Sequence, residues 1–168
     1  MRGFSLIELS VVLVVIAVLL GVIGTRVLEW QASAEQTAVK SLLATLDSAL
    51  GMRVAQYQVR QDRRGIEALA GSNPMDNLER HPGNYRGELR DGSTVQPGNW
   101  YFDRRGKSLV YRVRNVERFR GGVKNPVRAR FSIRLVFQDQ NGNGVYDREI
   151  EQLEGVRLMA LEPYQWTN

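Results

Sequence analysis

From residue 4 to residue 24 the chain reads FSLIELSVVLVVIAVLLGVIG, apolar on every helical face and broken by a single charge, Glu8. At ~1.5 Å per residue such a helix reaches ~30 Å, the thickness of a bilayer's hydrocarbon core. One N-terminal membrane helix is therefore expected, with Arg2 before it and Arg26 after it. Beyond residue 24 the apolar pattern narrows to a stripe of Val27, Trp30, Ala34, Ala38, Leu42, Leu46, Ala49, Arg53 and Tyr57, spaced three or four apart. Val39, Leu43, Leu50 and Val54 widen it into the face of a helix packed on a domain core. No proline interrupts residues 4–62, so the pattern predicts one continuous helix of roughly 55 residues. Its first half would lie in lipid and its second half along a soluble domain. Gly51 costs only ~1 kcal/mol in such a helix.

Residues 65–98 change character. Gly71-Ser72-Asn73-Pro74, Pro82-Gly83-Asn84, Asp91-Gly92-Ser93 and Pro97-Gly98-Asn99 punctuate them as turns. A short helix over residues 65–69 and a turn over 74–78 are expected within a long irregular connection, held down by Leu78, Tyr85 and Leu89. Period-two patterns follow. Trp100 and Phe102 share a face, and Leu109, Tyr111 and Val113 alternate with Val110, Arg112 and Arg114. Ala129, Phe131, Ile133, Leu135 and Phe137 alternate with Arg130, Ser132 and Arg134, and a last strand is expected between Gln152 and Leu161. Three or four antiparallel strands with one wet face need a cover on the other, and the amphipathic half of the long helix supplies it. The fold class expected is α+β, a long N-terminal helix packed on a small antiparallel sheet.

Charge and composition refine this only in part. The 168 residues carry a formal net charge of +5 and no cysteine, so the chain needs no disulfide and has no thiolate chemistry. Arginine is densest at Arg112, Arg114, Arg118 and Arg120, with Arg128, Arg130 and Arg134 close behind. Such a face could meet DNA or another anionic ligand. Without an aromatic stacking series or a binding motif, solvated strands or contacts between subunits are the preferred use. Positive charge weakly favours the short leader on the cytoplasmic side and the long domain outside. A cleaved secretory signal competes, but its apolar core would be shorter, and residues 21–25 imitate its small-residue cut site only faintly.

One loop carries candidate metal chemistry. Asp139, Asn141, Asn143 and Asp147 place side-chain oxygens at relative positions 1, 3, 5 and 9, with Gly144 at 6 and the Val145 carbonyl at 7. Position 12, a bidentate glutamate in a helix–loop–helix calcium site, is Ile150 here, flanked by Glu149 and Glu151. Flanking strands also replace that motif's helices. A structural calcium ion and a plain tight turn both fit this spacing, and no other cofactor is expected.

No constellation points to an enzyme. Asp47, Asp62, Asp76, Asp91 and Asp103 are scattered, and lone His81 beside Pro82 has no cysteine or histidine partner nearby. Ser5 and Ser10 lie in the apolar run, while Ser72 and Ser93 lie in turns without a nucleophile-elbow context. No phosphate-cradling glycine loop occurs.

The start of the chain, Gly3-Phe4-Ser5-Leu6-Ile7-Glu8 followed at once by the apolar run, resembles the N-terminal signature of type IV pilins and type II secretion pseudopilins. That resemblance implies cleavage after Gly3 by a membrane-embedded aspartyl prepilin peptidase and methylation of the new amine on Phe4. It also implies that Glu8 meets the Phe4 amine of a neighbouring subunit, an expectation consistent with the cost of an unpaired carboxylate in apolar surroundings. Residues 1–3 would be the leader, 4–25 a transmembrane and assembly helix, and 26–168 a periplasmic pilin-like domain. Partners implied are the peptidase, other pilin subunits, an inner-membrane assembly platform and membrane lipid. Localisation implied is the bacterial inner membrane as a single-pass protein, or the pilus at the cell surface. Two features depart from many members: no proline bends the apolar helix, and no cysteine pair closes a C-terminal loop. Asn73-Pro74-Met75-Asp76-Asn77-Leu78 and Pro97-Gly98-Asn99-Trp100-Tyr101-Phe102-Asp103 resemble minor pilins of the mannose-sensitive haemagglutinin (MSHA) pilus. A minor pilin is expected, with a major pilin or a pseudopilin as alternatives.

Overall fold

The computed structural model describes residues 6–167, and of residues 22–29 the backbone alone. Helix α1, Leu6–Val59, runs unbroken for 54 residues. Gln61 then takes a positive φ of 55° and reverses the chain, and the Asp62 side chain caps the short helix α2, Arg63–Ala68, by accepting from the Gly65 N–H. Both helices match expectation closely. A 3-10 turn, Pro74–Asn77, follows.

No helix among the described residues is long and apolar enough to cross a membrane. The expected single-pass span, and the inner-membrane location drawn from it, are corrected accordingly.

Among the described residues seven strands form two sheets. Strands β1 (Tyr85–Leu89), β2 (Trp100–Asp103), β3 (Ser108–Arg112), β5 (Arg128–Phe137) and β6 (Leu153–Ala160) make a five-stranded sheet in the order β1-β2-β3-β5-β6. Strands β4 (Phe119–Gly121) and β7 (Tyr164–Trp166) pair antiparallel as a separate ribbon. The expected three or four antiparallel strands are therefore too few, and β1 lies parallel to β2. Strand β1 falls inside the stretch expected to be irregular. Its pattern is masked by Gly87, whose φ of +82° lies where the register with β2 shifts.

The second half of α1 covers one face of the larger sheet. Val39 and Leu46 pack in one core with Trp100, Phe102, Leu109, Tyr111, Ala129 and Phe131. Further along, Leu50 and Val54 pack with Ile66 and Leu69 around α2 and with Ile133 of β5. The expected stripe holds at Leu42, Leu46, Ala49 and Tyr57, but Trp30, Ala34, Ala38 and Arg53 are exposed. The buried row is instead Ala32, Val39 and Leu46, spaced by sevens, which turns the buried face away from Trp30. The opposite sheet face is not wholly wet, because the connection between β1 and β2 lays Val95 over Tyr101 and Val110. Phe119, Tyr164 and Trp166 close the end of the main core, with Phe119 and Trp166 ring centroids 5.1 Å apart edge-to-face.

Candidate functional site

Helix α1 presents two different surfaces. From Ala32 on it is held by the sheet, whereas every residue from 6 to 21 is exposed. Leu6 is 85% and Ile7 75% exposed, and Val11, Leu13, Val14, Val18, Leu19 and Leu20 each stay more than half exposed. A contiguous apolar surface of this extent on a folded chain marks an interaction site. Glu8 is its one charged residue and lies in the first described turn of α1, exposed to its surroundings. Ser10 turns inward and donates its hydroxyl to the Ile7 carbonyl at 2.8 Å, so it adds little polarity to the surface. The helix continues through Gly21 and Gly24 without a break. Gly3 and Phe4, the expected cleavage and methylation positions, lie outside the described residues.

Where α1 meets the sheet, one carboxylate fixes the junction. Glu35 accepts from the Tyr111 hydroxyl at 2.7 Å and the Arg114 N–H at 2.7 Å. It also accepts from the Asn115 N–H at 2.9 Å and from Asn115 Nδ2 at 2.5 Å. Burial, and then the hydroxyl's bond to the Glu35 carboxylate, push the Tyr111 phenol well above its usual range. Sequence reasoning passed over Glu35, because a glutamate at the edge of an amphipathic stripe looks like any solvated helix residue. The legible signal was its position four residues before Val39, just where the helix begins to be buried.

The 139–147 loop joins β5 to β6 and is held by its own side chains. Asp139 Oδ1 accepts from the Gly142 N–H at 2.7 Å and its Oδ2 from the Gly144 N–H at 2.9 Å. Asn141 accepts from the Asn143 N–H and Asn143 from the Val145 N–H, at 3.0 and 2.7 Å. The Gly144 N–H foremost holds the Asp139 carboxyl below the usual carboxylate range. Asp147 turns its carboxylate to the Glu149 N–H, and the Val145 side chain is exposed. Arg63 ties the loop to α2, donating to the Tyr146 hydroxyl at 2.8 Å and to the Glu151 carbonyl at 2.7 Å.

Four arginines of the strands are engaged by the chain's own oxygens. Arg130 pairs with Glu162, and Arg112 donates to the carbonyls of Gly92 and Ser93. Arg120 donates to Glu117 and Phe119, and Arg128 to Pro126. His81 packs edge-on to the Tyr85 ring at 5.0 Å. Among the described residues, no group of three or more His, Cys, Asp or Glu side chains is arranged to hold a metal ion.

No curated protein and no solved structure matches the chain. Residues 1–24 match the family model of the prokaryotic N-terminal methylation motif. That motif implies processing by a prepilin peptidase and partnership with pilus subunits. The exposed stretch of α1 with Glu8 at its head thus lies within an N-terminal prepilin-type methylation motif, consistent with the pilin-like superfamily.

Proposed function

We propose that this chain is a pilin-like structural subunit, cut after Gly3 and methylated on the new Phe4 amine, that assembles by packing α1 against the helices of other subunits. Within that group we place it with minor pilins of an MSHA-like pilus, on the resemblance of residues 73–78 and 97–103. The observation that carries the assembly reading is the exposed apolar surface over residues 6–21, charged only at Glu8. Side-by-side helices would remove that surface from water at ~25 cal/mol per Å² of apolar area. Glu8 would then lose its solvation, and a cationic Phe4 amine on a neighbour would restore a partner. Apolar packing has no direction, so this pair would set the axial register of the subunits.

Mass spectrometry of the mature chain tests the maturation step. A chain beginning at methylated Phe4 is expected, and an intact Met1 or a cut near Gly24 would reject the route. Glu8→Leu tests the pairing. A hydrogen-bonded charge pair contributes ~1.5–3 kcal/mol, so incorporation into filaments should drop by about ten- to a hundredfold while the chain is still processed. Incorporation at the parent level would defeat the register role.

A further inference from the structure

Glu151 stands one residue beyond the position at which a helix–loop–helix calcium site has its closing glutamate. It is only 3% exposed. One of its oxygens, Oε2, accepts from the Asp147 N–H at 2.8 Å, so the side chain points back into the 139–147 loop. The other, Oε1, is buried and has no hydrogen-bond donor among the described residues. The carboxyl also stands within hydrogen-bonding reach of Asp139, a second carboxylate. A buried carboxylate that faces another carboxylate and lacks a donor is costly unless a cation or a shared proton lies between them.

The nearby cations do not fill that role. Arg148 pairs with Glu67, and Arg63 spends its donors on the Tyr146 hydroxyl and the backbone carbonyl of Glu151. The donors that remain are all oxygen. Asp139 gives two N–H-bonded side-chain oxygens and Asn141 and Asn143 one each, and every one retains a further lone pair. Hard oxygen donors without nitrogen or sulfur select calcium over zinc or copper, and an irregular loop suits calcium's flexible shell better than magnesium's strict octahedron.

We infer that the β5–β6 loop is a calcium site in which Asp139 and Glu151 are the paired anionic ligands, with Asn141 and Asn143 completing one side. Asp147 orients Glu151 through its backbone N–H rather than by its carboxylate, which is turned to the Glu149 N–H. Two carboxylates instead of three or four make a weak site, of the ~10⁻⁴–10⁻³ M class seen in extracellular modules. The bound ion would lock the β5–β6 hairpin against α2, because the Glu151 carbonyl also takes the Arg63 bond. Nothing in this inference depends on filament assembly.

The test uses the full-length chain in nonionic detergent, first with a chelator and then titrated with calcium chloride or magnesium chloride. Calorimetric titration and thermal unfolding are read together. At a calcium concentration one hundred times Kd, Tm should rise by about 5–10 °C. Magnesium at the same concentration should give less than half that rise. Glu151→Gln keeps an oxygen for the Asp147 N–H, so it should fold in chelator yet bind calcium at least about tenfold more weakly. Asp139→Asn provides the same reading should Glu151→Gln not fold, and Glu149→Gln should bind like the parent. A parent chain whose Tm is the same in chelator and in calcium would overturn the inference. So would parent-like calcium affinity in either ligand variant, or a Tm that rises on acidification but not with calcium, which would assign the gap to a shared proton.

Discussion

Replacing Glu35 with alanine removes four hydrogen bonds at once from the junction of α1 and the sheet, those from Tyr111, Arg114 and the two Asn115 donors. A hydrogen bond to a charged group contributes ~1.5–3 kcal/mol, so a simple sum would be ~6–12 kcal/mol. That sum is too large. Three of the four donors sit on two adjacent residues and share one acceptor, so their losses are not additive. The site is also half-buried, and water replaces part of what the carboxylate supplied. The expected cost is therefore ~2–4 kcal/mol. For a chain of this size ~1 kcal/mol moves Tm by ~2–4 °C, which places the variant about 5–15 °C below the parent. Glu35→Gln separates charge from shape, because its amide group turns an N–H donor toward a cluster made only of donors. It should lose at least half as much. Thermal unfolding followed by circular dichroism reads both, and the Glu35→Ala/Tyr111→Phe double variant should lose less than the two single losses combined. A Glu35→Ala chain that melts with the parent, or strictly additive losses in the double variant, would refute the clamp.

Two further outcomes follow from the same structure. At Gly121, φ is +82° and an added Cβ would lie 2.2 Å from the Pro163 carbonyl oxygen and 2.9 Å from Tyr164 Cα, both backbone atoms. Gly121→Ala should cost ~2–5 kcal/mol by urea unfolding, against ~1–2 kcal/mol for Gly142→Ala, where φ is +72° but space is open; equal losses would show that the β4–β7 contact does not matter. Burial raises the phenol pKa of Tyr85, Tyr101, Tyr111 and Tyr164. Above pH ~10 the unfolded chain then binds fewer protons than the folded one, so the stability these groups give below that pH is lost as pH rises further. Unfolding measured from pH 9 upward should show this decline, and Tyr111→Phe should flatten it; a parent with constant stability to pH 11.5 would contradict the assignment.

Much of the fold could be read from residue order because its long elements repeat. α1 and β5 each hold their period long enough for the buried face to emerge, and Trp100, Phe102, Leu109, Tyr111 and Phe131 fall on the expected face. The short elements have no period to read. β4 and β7 are three residues each, and they pair Phe119 with Trp166 across a separation that no local pattern encodes. β1 is hidden by Gly87, and its parallel partner β2 lies beyond a turn-rich stretch. The front of the helix stripe went astray at Trp30 because hydrophobicity alone does not say which of two adjacent rows meets the sheet. In the 139–147 loop, side-chain spacing located the turn and set Glu149 and Glu151 on equal terms beside its closing position, and only burial and a donorless oxygen single out Glu151. Glu35 was illegible for the opposite reason. Its partners, Tyr111, Arg114 and Asn115, come from the end of β3 and the turn just after it, far away in sequence.

The place of Glu35 on α1 connects the head of the molecule to its exposed helix. Apolar contacts are non-directional, so Val39, Leu46, Leu50 and Val54 alone would leave the long helix some freedom to slide or to rotate about its axis. Hydrogen bonds fix both motions, because they fail beyond a few tenths of an ångström and below about 120°. Among the described residues Ala32 is the first buried one along α1, and the Glu35 set lies just beyond it, between the exposed run and the sheet-packed half of the helix. On the assembly reading, the orientation of residues 6–21 relative to the sheet is what neighbouring subunits must share. A carboxylate that contributes a few kcal/mol to folding would thereby also decide which way the apolar face points. Glu35→Gln, folded but loosened at this junction, should then process normally and still join filaments less well than its melting temperature alone would require.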